Sequence, residues 1–321
     1  MQINLNKISE GDRLTIAKSL TAIEKDDPIV EDILHFLLRK KSFKQIIGIT
    51  GPPGSGKSTI VDQMIYHFRQ LDLSVGVICI DPSSVFTNGA ILGDRVRMQR
   101  HSTDPKVFIR SMATRNVKGG LAAGVRKAAL LLQEAGNDVV IIETVGVGQV
   151  EIDIVEAADT VIVTAAPGLG DTMQTFKAGL MEIGDFFVVN MADRPGSGKT
   201  VRQLESTLQF TRIKKQWKPK VLKTIATTGE GVKELIDECR IHWEYVVKNG
   251  KLEDNRLKTM EMEIKDQLIK RVINDLDNIT VSDSMKDVVQ KVYRTEIPLG
   301  KAINKMYQKF YERCDCIASK Y

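Results

Sequence analysis

Residues 51–58 are the group whose types and spacing point most directly to chemistry. They read Gly-Pro-Pro-Gly-Ser-Gly-Lys-Ser, a complete G-x-x-x-x-G-K-[ST] pattern. Its glycines permit positive φ, so backbone N–H groups can point at phosphate oxygens. Lys57 can reach the β- and γ-phosphates, and the Ser58 hydroxyl can sit on Mg²⁺. The predicted nucleoside triphosphate contacts are Gly51, Pro52, Pro53, Gly54, Ser55, Gly56, Lys57, Ser58 and Thr59.

The flanks of this loop separate it from a Gly/Pro turn with a chance lysine. An apolar run, 45–50, precedes the loop, and a helical pattern follows it from residue 60. A strand before the loop and a helix after it are the context that a phosphate-binding loop requires.

A second element, residues 138–146, is an apolar strand that ends in an acid, with glycine three residues later. In nucleotide-hydrolysing proteins such a carboxylate assists Mg²⁺ while the glycine N–H meets the γ-phosphate. We assign these roles to Glu143, which stands where Asp is more usual, and to Gly146.

A third element, residues 185–193, is a strand running into a variant of Asn-Lys-x-Asp, with Met191 at the lysine position. Asn190 and Asp193 are predicted to recognise the base. Asp193 can accept hydrogen bonds from guanine N1–H and the 2-amino group, which adenine does not offer, so the sequence favours GTP over ATP. The turn at Ile225, Ala226 and Thr227 is expected to support guanine O6 through its backbone.

Residues 196–200, Gly-Ser-Gly-Lys-Thr, resemble the end of a second phosphate-binding loop. The first glycine of the pattern would fall at position 193, which is Asp, so the pattern fails. We expect this stretch to open the helix that follows the base-reading loop.

Between residues 45 and about 226, short apolar runs alternate with amphipathic stretches. This alternation predicts the α/β class: a P-loop NTPase with a mostly parallel, doubly wound sheet and helical extensions at both ends. The predicted domains are a helical extension at 1–43, a GTPase domain at 44–248 and a helical, dimerising region at 249–321. The predicted strands are 45–50, 74–80, 107–112, 138–143, 160–166, 185–190 and 220–226.

An amphipathic helix is predicted over 252–278, where apolar residues recur every three or four positions among many charges. Its stripe can pack against the GTPase domain of its own chain or join two subunits. The stripe consists of Leu257, Met260, Ile264, Leu268, Val272 and Leu276.

The composition says less about function than the motifs do. The net charge of +5 over 321 residues fits a polyphosphate ligand or an acidic partner as well as nucleic acid. No apolar run reaches 18 residues and the N-terminus has no signal-like core, so we expect a cytoplasmic protein without a membrane partner. We also expect no nucleic-acid partner, although the net charge does not decide this. Cys314 and Cys316 are an alternative metal site, but no second Cys/His cluster lies near them in the sequence, which argues against metal binding there.

Several further stretches resemble the GTPases associated with methylmalonyl-CoA mutase, a family called MeaB or ArgK-like in the SIMIBI class of G proteins. The resemblance keeps its order and spacing over about residues 10–245. It rests on residues 81–84 (Asp-Pro-Ser-Ser), 89–98, 108–115, 143–149 and 174–179.

This resemblance implies a chaperone that guards and reloads the cobalamin of an adenosylcobalamin-dependent acyl-CoA mutase, working as a homodimer. It implies that Asp81 and Asp94 join Ser58 and Glu143 around Mg²⁺. It also implies that Gln174 and Lys177 form a third switch facing the mutase, which completes a catalytic set of Lys57, Glu143, Gln174 and Lys177. The chain departs from the family at Asn116, usually glycine, and at Met191.

Two other functions stay open at this point. A metallochaperone GTPase of the same class would usually carry a His-rich tract, whereas His35, His67, His101 and His242 are isolated in this sequence. An ATP-dependent kinase linked to amino-acid transport, a function also attached to the ArgK label, would need ATP, against which Asp193 argues.

The sequence also predicts slow hydrolysis in the absence of a partner. Val147 follows Gly146, so the glutamine that orients the attacking water in Ras-like enzymes is missing. Arg95, Arg97 and Arg110 are candidates for an arginine finger supplied by the chain itself.

Overall fold

The computed structural model of the protein describes residues 3–39, 44–81, 98–113, 121–144, 150–169, 178–210, 216–280 and 283–318. These residues form seven strands, twelve α-helices and one 3-10 turn, Gln99–His101. The strands are β1 Gln45–Thr50, β2 Val75–Asp81, β3 Val107–Ala113, β4 Val139–Thr144, β5 Thr160–Ala165, β6 Phe186–Val189 and β7 Lys220–Lys223. The helices are α1 Asn6–Ser9, α2 Arg13–Lys25, α3 Val30–Arg39, α4 Lys57–Gln70, α5 Leu121–Glu134, α6 Val150–Ala157, α7 Ala178–Ile183, α8 Ser197–Phe210, α9 Val232–Lys248, α10 Lys251–Thr280, α11 Asp283–Tyr293 and α12 Leu299–Ala318.

The described strands form one parallel sheet in the order β3-β2-β4-β1-β5-β6-β7. Every residue of β1, β4, β5 and β6 is buried, as expected for strands covered by helices on both faces. The predicted fold class is therefore confirmed, and each predicted strand is present. The largest difference in strand ends is at β7, predicted over 220–226, which ends at Lys223 because the chain beyond it turns, so that the Ile225 amide donates to Glu230 O at 3.0 Å.

Strand β1 lies between β4 and β5, and all three strands run in the same direction. Their carboxyl ends therefore meet at one edge of the sheet, where the segments following β1, β4, β5 and β6 come together. In open α/β sheets this edge is where ligands bind. The predicted nucleotide-binding residues all follow strands at this edge.

Two hydrophobic clusters cover the two faces of the sheet. One contains the buried faces of α5 and α6 together with the N-terminal helices, where Leu20 on α2 and Ile33 on α3 are fully buried. The other contains α4 and α9. The helical character predicted for the N-terminal segment is observed. Asp12 begins α2, since its carboxylate accepts from the Thr15 amide at 2.8 Å.

The opposite, amino-terminal edge of the sheet is closed by an aromatic group. Trp217 donates from Nε1 to the carbonyl of Asp185 at 3.2 Å, and its ring lies 4.6 Å from that of His242 and 5.8 Å from that of Phe186. His242 is buried on α9, with Nδ1 2.9 Å from the hydroxyl of Thr160, the first residue of β5. This group anchors α9 to the start of β5 and β6.

The chain divides into two compact units, Met1–Thr259 and Met260–Tyr321. The second unit contains the rest of α10 together with α11 and α12. Helices α11 and α12 pack against each other. Several large apolar side chains of this unit are exposed: Ile264, Leu268, Ile269, Val272, Leu276, Val289, Tyr293, Leu299, Ile303 and Tyr307. In the part of the chain that the structure describes, no helix combines the length and apolarity needed to cross a bilayer.

Candidate nucleotide site

The phosphate-binding loop, residues 51–58, leaves the end of β1 and enters α4 at Lys57. Gly51, Gly54 and Gly56 have φ of 139°, 80° and 84°, which is the left-handed region that favours glycine. A Cβ on Gly51 would overlap the backbone and hydroxyl of Thr164 at the end of β5, and a Cβ on Gly56 would overlap the side-chain amide of Asn190. The sequence pattern thus adopts the conformation it predicts, and close packing excludes larger residues at both glycines.

The ammonium group of Lys57 lies inside the loop. Its Nζ donates to the carbonyl oxygens of Gly51 at 2.7 Å and Pro52 at 3.0 Å, and only 6% of the residue is exposed. The charge is therefore already held against the loop backbone, at the N-terminus of α4. Backbone N–H groups, the helix dipole and a fixed ammonium together form an anion-binding site.

Ser58 and Glu143 meet beside this loop. The Ser58 hydroxyl donates to Glu143 Oε1 at 2.5 Å, and both residues are buried. The two come together because Glu143 pairs in register with Ile49 of β1, next to the start of the loop. A hydroxyl and a carboxylate side by side at a phosphate site form an oxygen donor set of the kind that Mg²⁺ prefers. The residues present therefore fit this ion.

The other predicted metal and switch residues are described only in part. Asp81 is the last residue of β2, and Glu143 lies on the neighbouring parallel strand β4. The carboxyl ends of the two strands therefore lie at the same edge of the sheet. The Asp81 side chain lies outside what the structure describes, as do Asp94, Gly146, Gln174 and Lys177. Among the side chains that were described, no three His, Cys, Asp or Glu residues form a metal-binding group.

Asn190 connects three parts of the site. Its Nδ2 donates to the carbonyl of Ser55 in the phosphate-binding loop at 3.0 Å. Its Oδ1 accepts from the Ala226 amide and from the Thr224 hydroxyl, both at 3.1 Å. Asn190 is 2% exposed, so these buried contacts fix the base-side loops against the phosphate-binding loop.

The residues after Asn190 form a turn that exposes Asp193. Met191 adopts a left-handed φ of 56°, and its carbonyl accepts from the Arg194 amide at 3.0 Å. The methyl carbon of Met191 lies 3.8 Å from the position that a Cβ on Gly56 would take, so this side chain reaches the phosphate-binding loop. Asp193 is thus an exposed carboxylate in a turn whose Met191 side chain reaches the phosphate-binding loop.

The turn at 225–227 differs from the prediction in one respect. The Ile225 amide donates to Glu230 O at 3.0 Å, and the Ala226 amide is held by Asn190. Two of the three amides predicted to face guanine O6 are thus engaged within the protein, which leaves Thr227. Sequence spacing could not reveal this, because it depends on the contact between Asn190 and Ala226.

Arg110 was a candidate arginine finger, but its guanidinium is held by the N-terminal extension. It donates to Glu24 at 3.1 Å and to the Thr21 hydroxyl at 3.2 Å, both on α2. The other two candidates, Arg95 and Arg97, lie outside the described residues. For Arg110, the contact with α2 is a structural role that the sequence did not reveal.

The stretch at 196–200 is a helix start, as expected. Ser197 is the first residue of α8, and its hydroxyl donates to the Ala192 carbonyl at 2.8 Å. Lys199 is exposed on this helix. The apparent second loop therefore serves to attach α8 to the base-reading turn.

Comparison with known families decides which nucleotide-binding proteins this chain resembles. A family model described as methylmalonyl Co-A mutase-associated GTPase MeaB matches residues 16–280. The chain belongs to the MeaB family. The resemblance read from the sequence is confirmed. The activity class is confirmed with it, because the family description and the names of the relatives are those of GTPases.

Individual relatives cover nearly the whole MeaB-family chain. A Pyrococcus horikoshii protein named as a GTPase is 43% identical over 312 residues, which span 96% of this chain and 98% of that protein. The methylmalonic aciduria type A homolog, mitochondrial, of Caenorhabditis elegans is 32% identical over 82% of this chain and 71% of that protein.

Among solved structures, a crystal structure of an LAO/AO transport system kinase superimposes with a TM-score of 0.69. It covers 96% of each chain at 24% identity, so the likeness concerns the fold.

Proposed function

We propose that this GTPase is a chaperone for an adenosylcobalamin-dependent acyl-CoA mutase of the methylmalonyl-CoA mutase type. In this proposal GTP binding and hydrolysis gate the loading of the cobalamin cofactor into the mutase and its protection there. The observation that carries the proposal is the family match over residues 16–280, whose description names association with methylmalonyl-CoA mutase. The name of the Caenorhabditis elegans homologue, which refers to methylmalonic aciduria, supports the same client.

The proposed nucleotide site consists of the phosphate-binding loop, the Asn190 turn and the 225–227 turn. Lys57 neutralises charge on the β- and γ-phosphates, while loop amides and Gly146 bind their oxygens. Asp193 accepts from guanine, and the free amide of the 225–227 turn contacts O6. The hydrogen bonds of Asn190 to Ser55 and Ala226 support this assignment, since they hold the phosphate and base subsites together.

We propose Mg²⁺ as the resident ion, with Ser58, Asp81, Asp94 and Glu143 as the residues that hold it directly or through water. The 2.5 Å contact between the Ser58 hydroxyl and Glu143 supports the choice, because both oxygens already converge on one point. When bound, Mg²⁺ neutralises developing charge on the phosphates. The chain itself contributes orientation of the nucleotide and the charge of Lys57.

Two observations support partner dependence, one from the sequence at position 147 and one from Arg110, the arginine candidate that the structure describes. Val147 occupies the position where Ras-like enzymes carry a water-orienting glutamine. Arg110 is committed to Glu24. Catalysis of phosphoryl transfer consists almost entirely of positioning and charge neutralisation, so we expect slow turnover until a partner completes the site. Gln174 and Lys177 are the proposed switch residues that respond to the mutase.

We further propose that residues 1–43 form an N-terminal extension, 44–248 the GTPase domain and 249–321 a region that joins two subunits. The exposed stripe on α10 supports dimerisation: Ile264, Leu268 and Val272 are 58%, 57% and 45% exposed. Apolar patches of this kind mark interaction sites.

Sedimentation tests the dimer directly. Wild-type protein at tens of micromolar should sediment as a dimer, and Leu268→Lys should shift it to monomer. Leu14→Lys is the matched control, because Leu14 is a similarly exposed leucine, at 63%, on α2. If wild-type protein is a monomer both with and without nucleotide, the proposed dimer is wrong. That result would not bear on the proposed nucleotide site.

The chaperone proposal is tested by GTP turnover with and without the mutase of the same host, in the presence and absence of cobalamin. Turnover should rise about 10-fold or more, judged by what completing such a site contributes in other G proteins. Lys177→Ala should reduce this rise and leave GTP affinity nearly unchanged, whereas Lys199→Ala, on the exposed face of α8, should behave as wild type. Unchanged turnover with every acyl-CoA mutase of the host would reject the proposed client.

A further inference from the structure

Four buried hydroxyl side chains form a row that runs from the ends of the central strands to the phosphate-binding loop. They belong to Thr144 at the end of β4, Thr50 at the end of β1, Thr164 near the end of β5, and Ser55 within the loop. All four residues are 0% exposed. Buried hydroxyl groups must be hydrogen-bonded to be tolerated, so their partners are part of the fold.

The row is connected by three short contacts. Thr144 Oγ1 donates to Thr50 Oγ1 at 2.9 Å, and Thr164 Oγ1 donates to the carbonyl of Thr50 at 3.1 Å. The hydroxyl oxygens of Ser55 and Thr164 are 2.6 Å apart. The row therefore crosses three adjacent strands and ends on the loop.

Counting protons fixes the direction of the last contact. A hydroxyl group has one proton to donate. Thr164 uses its proton on the Thr50 carbonyl, so in the contact with Ser55 it must be the acceptor. Ser55 accordingly directs its only hydroxyl proton into the protein interior, and its backbone amide donates to the Pro52 carbonyl at 3.3 Å.

Thr164 also touches the beginning of the loop. A Cβ on Gly51 would overlap the Thr164 carbonyl, hydroxyl and amide, so the two backbones pack directly against each other. One residue of β5 therefore contacts both Gly51 and Ser55. Farther along, a Cβ on Gly54 would lie 3.4 Å from Leu169 Cδ2, so the chain that leaves β5 follows the loop.

We propose that Thr164 and Ser55 are positioning residues for the phosphate-binding loop. Their hydrogen bond holds the peptides of 51–56 in the conformation that receives a nucleotide, before the nucleotide arrives. The proposal rests on the assignment of that loop as the nucleotide site. No sequence motif marks Thr164, which lies in an apolar strand and is identified only by its contacts.

The physical reason is the flexibility of the loop sequence. Glycine has more conformational freedom to lose than any other residue, and this loop contains three glycines within six residues. A loop that ordered only on binding would lose that freedom at the expense of affinity. The side chain of Ser55, held by β5, and its carbonyl, held by Asn190, restrict the loop in the free protein.

The test measures nucleotide affinity and stability separately. Thr164→Val keeps the shape of the side chain but removes both hydrogen bonds of the hydroxyl. We expect the Kd values for GTP and GDP to rise by about 10-fold each, since the buried Ser55 hydroxyl loses its partner and the anchored loop is common to both nucleotides. Thr164→Ser, which retains the hydroxyl, should restore affinity close to that of wild type.

Thr160→Val is the matched control. Thr160 lies on the same strand, is also 0% exposed, and its hydroxyl contacts Gln45 Nε2 at 3.1 Å and His242 Nδ1 at 2.9 Å. It stands at the opposite end of β5 from the loop. Its substitution should lower the melting temperature in the same way as Thr164→Val while leaving both Kd values unchanged.

Ser55→Ala carries the test if Thr164→Val does not fold. It removes the donor from the loop and leaves Thr164 bonded to Thr50. It should weaken binding of both nucleotides by a similar factor. Where Thr164→Val folds, the double variant should bind no more weakly than the single variants, because the Ser55–Thr164 hydrogen bond is lost in each.

Two results would overturn the inference. One is nucleotide binding by Thr164→Val within about twofold of wild type, together with the same loss of melting temperature as in Thr160→Val. The other, where Thr164→Val is unfolded, is wild-type affinity in Ser55→Ala. If wild-type protein binds no guanine nucleotide in calorimetry, the proposed site itself is wrong, which is a distinguishable outcome.

Discussion

Asn190 donates a hydrogen bond of 3.0 Å to the backbone carbonyl of Ser55, joining the turn proposed to read the base to the loop proposed to hold the phosphates. The two residues are 135 positions apart in the chain and are brought together because β6 and the loop after β1 end at one edge of the sheet. The proposed base and phosphate subsites are therefore linked through one amide side chain.

Replacing Asn190 tests this link. Asn190→Ala removes the donor to Ser55 and leaves the buried Ala226 amide without its acceptor. We expect a loss of about 1–3 kcal/mol in the free energy of unfolding, together with a clear loss of GDP affinity, measured by denaturant unfolding and calorimetry. The control is Asn137→Ala, a buried asparagine in the turn between α5 and β4 that donates to Leu132 O at 2.7 Å. Asn137→Ala should lower the stability without changing the affinity for GDP. An equal loss of GDP affinity in both variants would contradict the role of Asn190 in linking the two loops.

Lys57→Ala should abolish GTP binding, since the ammonium that neutralises the phosphates is removed. The structure adds that Lys57 also binds the Gly51 and Pro52 carbonyls, so the empty loop should become less ordered while the sheet remains folded. Circular dichroism and calorimetry measure the two effects. Lys199→Ala, in the sequence that imitates a second loop, should bind GTP normally. Tight GTP binding by Lys57→Ala would mean that the site lies elsewhere.

Asp193→Asn should move nucleotide preference from GTP toward XTP. The amide can donate to the 2-oxo group of xanthine, whereas the carboxylate of the wild type accepts from the 2-amino group of guanine. A change of about 10-fold or more in the ratio of the two Kd values is expected, measured by calorimetric titration. Asp237→Asn, an exposed carboxylate on α9, should leave the ratio unaltered. Equal binding of ATP and GTP by wild-type protein would show that Asp193 does not select guanine.

The N-terminus of α2 gives a prediction about pH. The Thr15 hydroxyl and amide hold the pKa of Asp12 below its ordinary value of 3.8. A carboxylate with a lowered folded pKa stabilises the protein above the unfolded pKa, and this contribution is lost as the pH falls through the folded value. Asp12→Ala should therefore lower the melting temperature at neutral pH, and the difference from wild type should shrink below about pH 4.

Glu10→Ala is the control for charge alone, since Glu10 is an exposed carboxylate that begins no helix. It should show no comparable shrinkage in acid. A difference between Asp12→Ala and wild type that is constant with pH would mean that Asp12 does not act through its charge.

The sequence predicted the elements whose pattern is local. The seven strands are apolar runs bounded by polar turns, and the phosphate-binding loop is a contiguous motif, so each could be read without knowledge of the fold. The end of β7 was misjudged because the next residues form a turn, in which the Ile225 amide donates to Glu230 and the Ala226 amide donates to Asn190, and the second of these contacts is tertiary.

The parts that could not be predicted depend on residues distant in the chain. Thr164 has no motif, and its role follows from the approach of β5 to Gly51 and Ser55. Arg110 could be assigned to α2 only when β3 and α2 were seen together. The engaged amide of Ala226 likewise required the position of Asn190. Spacing identifies candidate residues, and packing decides which of their atoms are available.

The aromatic group at the amino-terminal edge of the sheet determines which changes the intrinsic tryptophan fluorescence of this protein can detect. The chain has two tryptophans, Trp217, which packs between His242 and Phe186, and Trp243, next to His242 on α9. The loop that receives phosphates follows the opposite ends of the strands. Intrinsic emission should therefore follow unfolding of the sheet and stay unchanged when a nucleotide binds. With a fluorescent group on the nucleotide, one sample would yield two independent optical signals, one for the fold and one for occupancy.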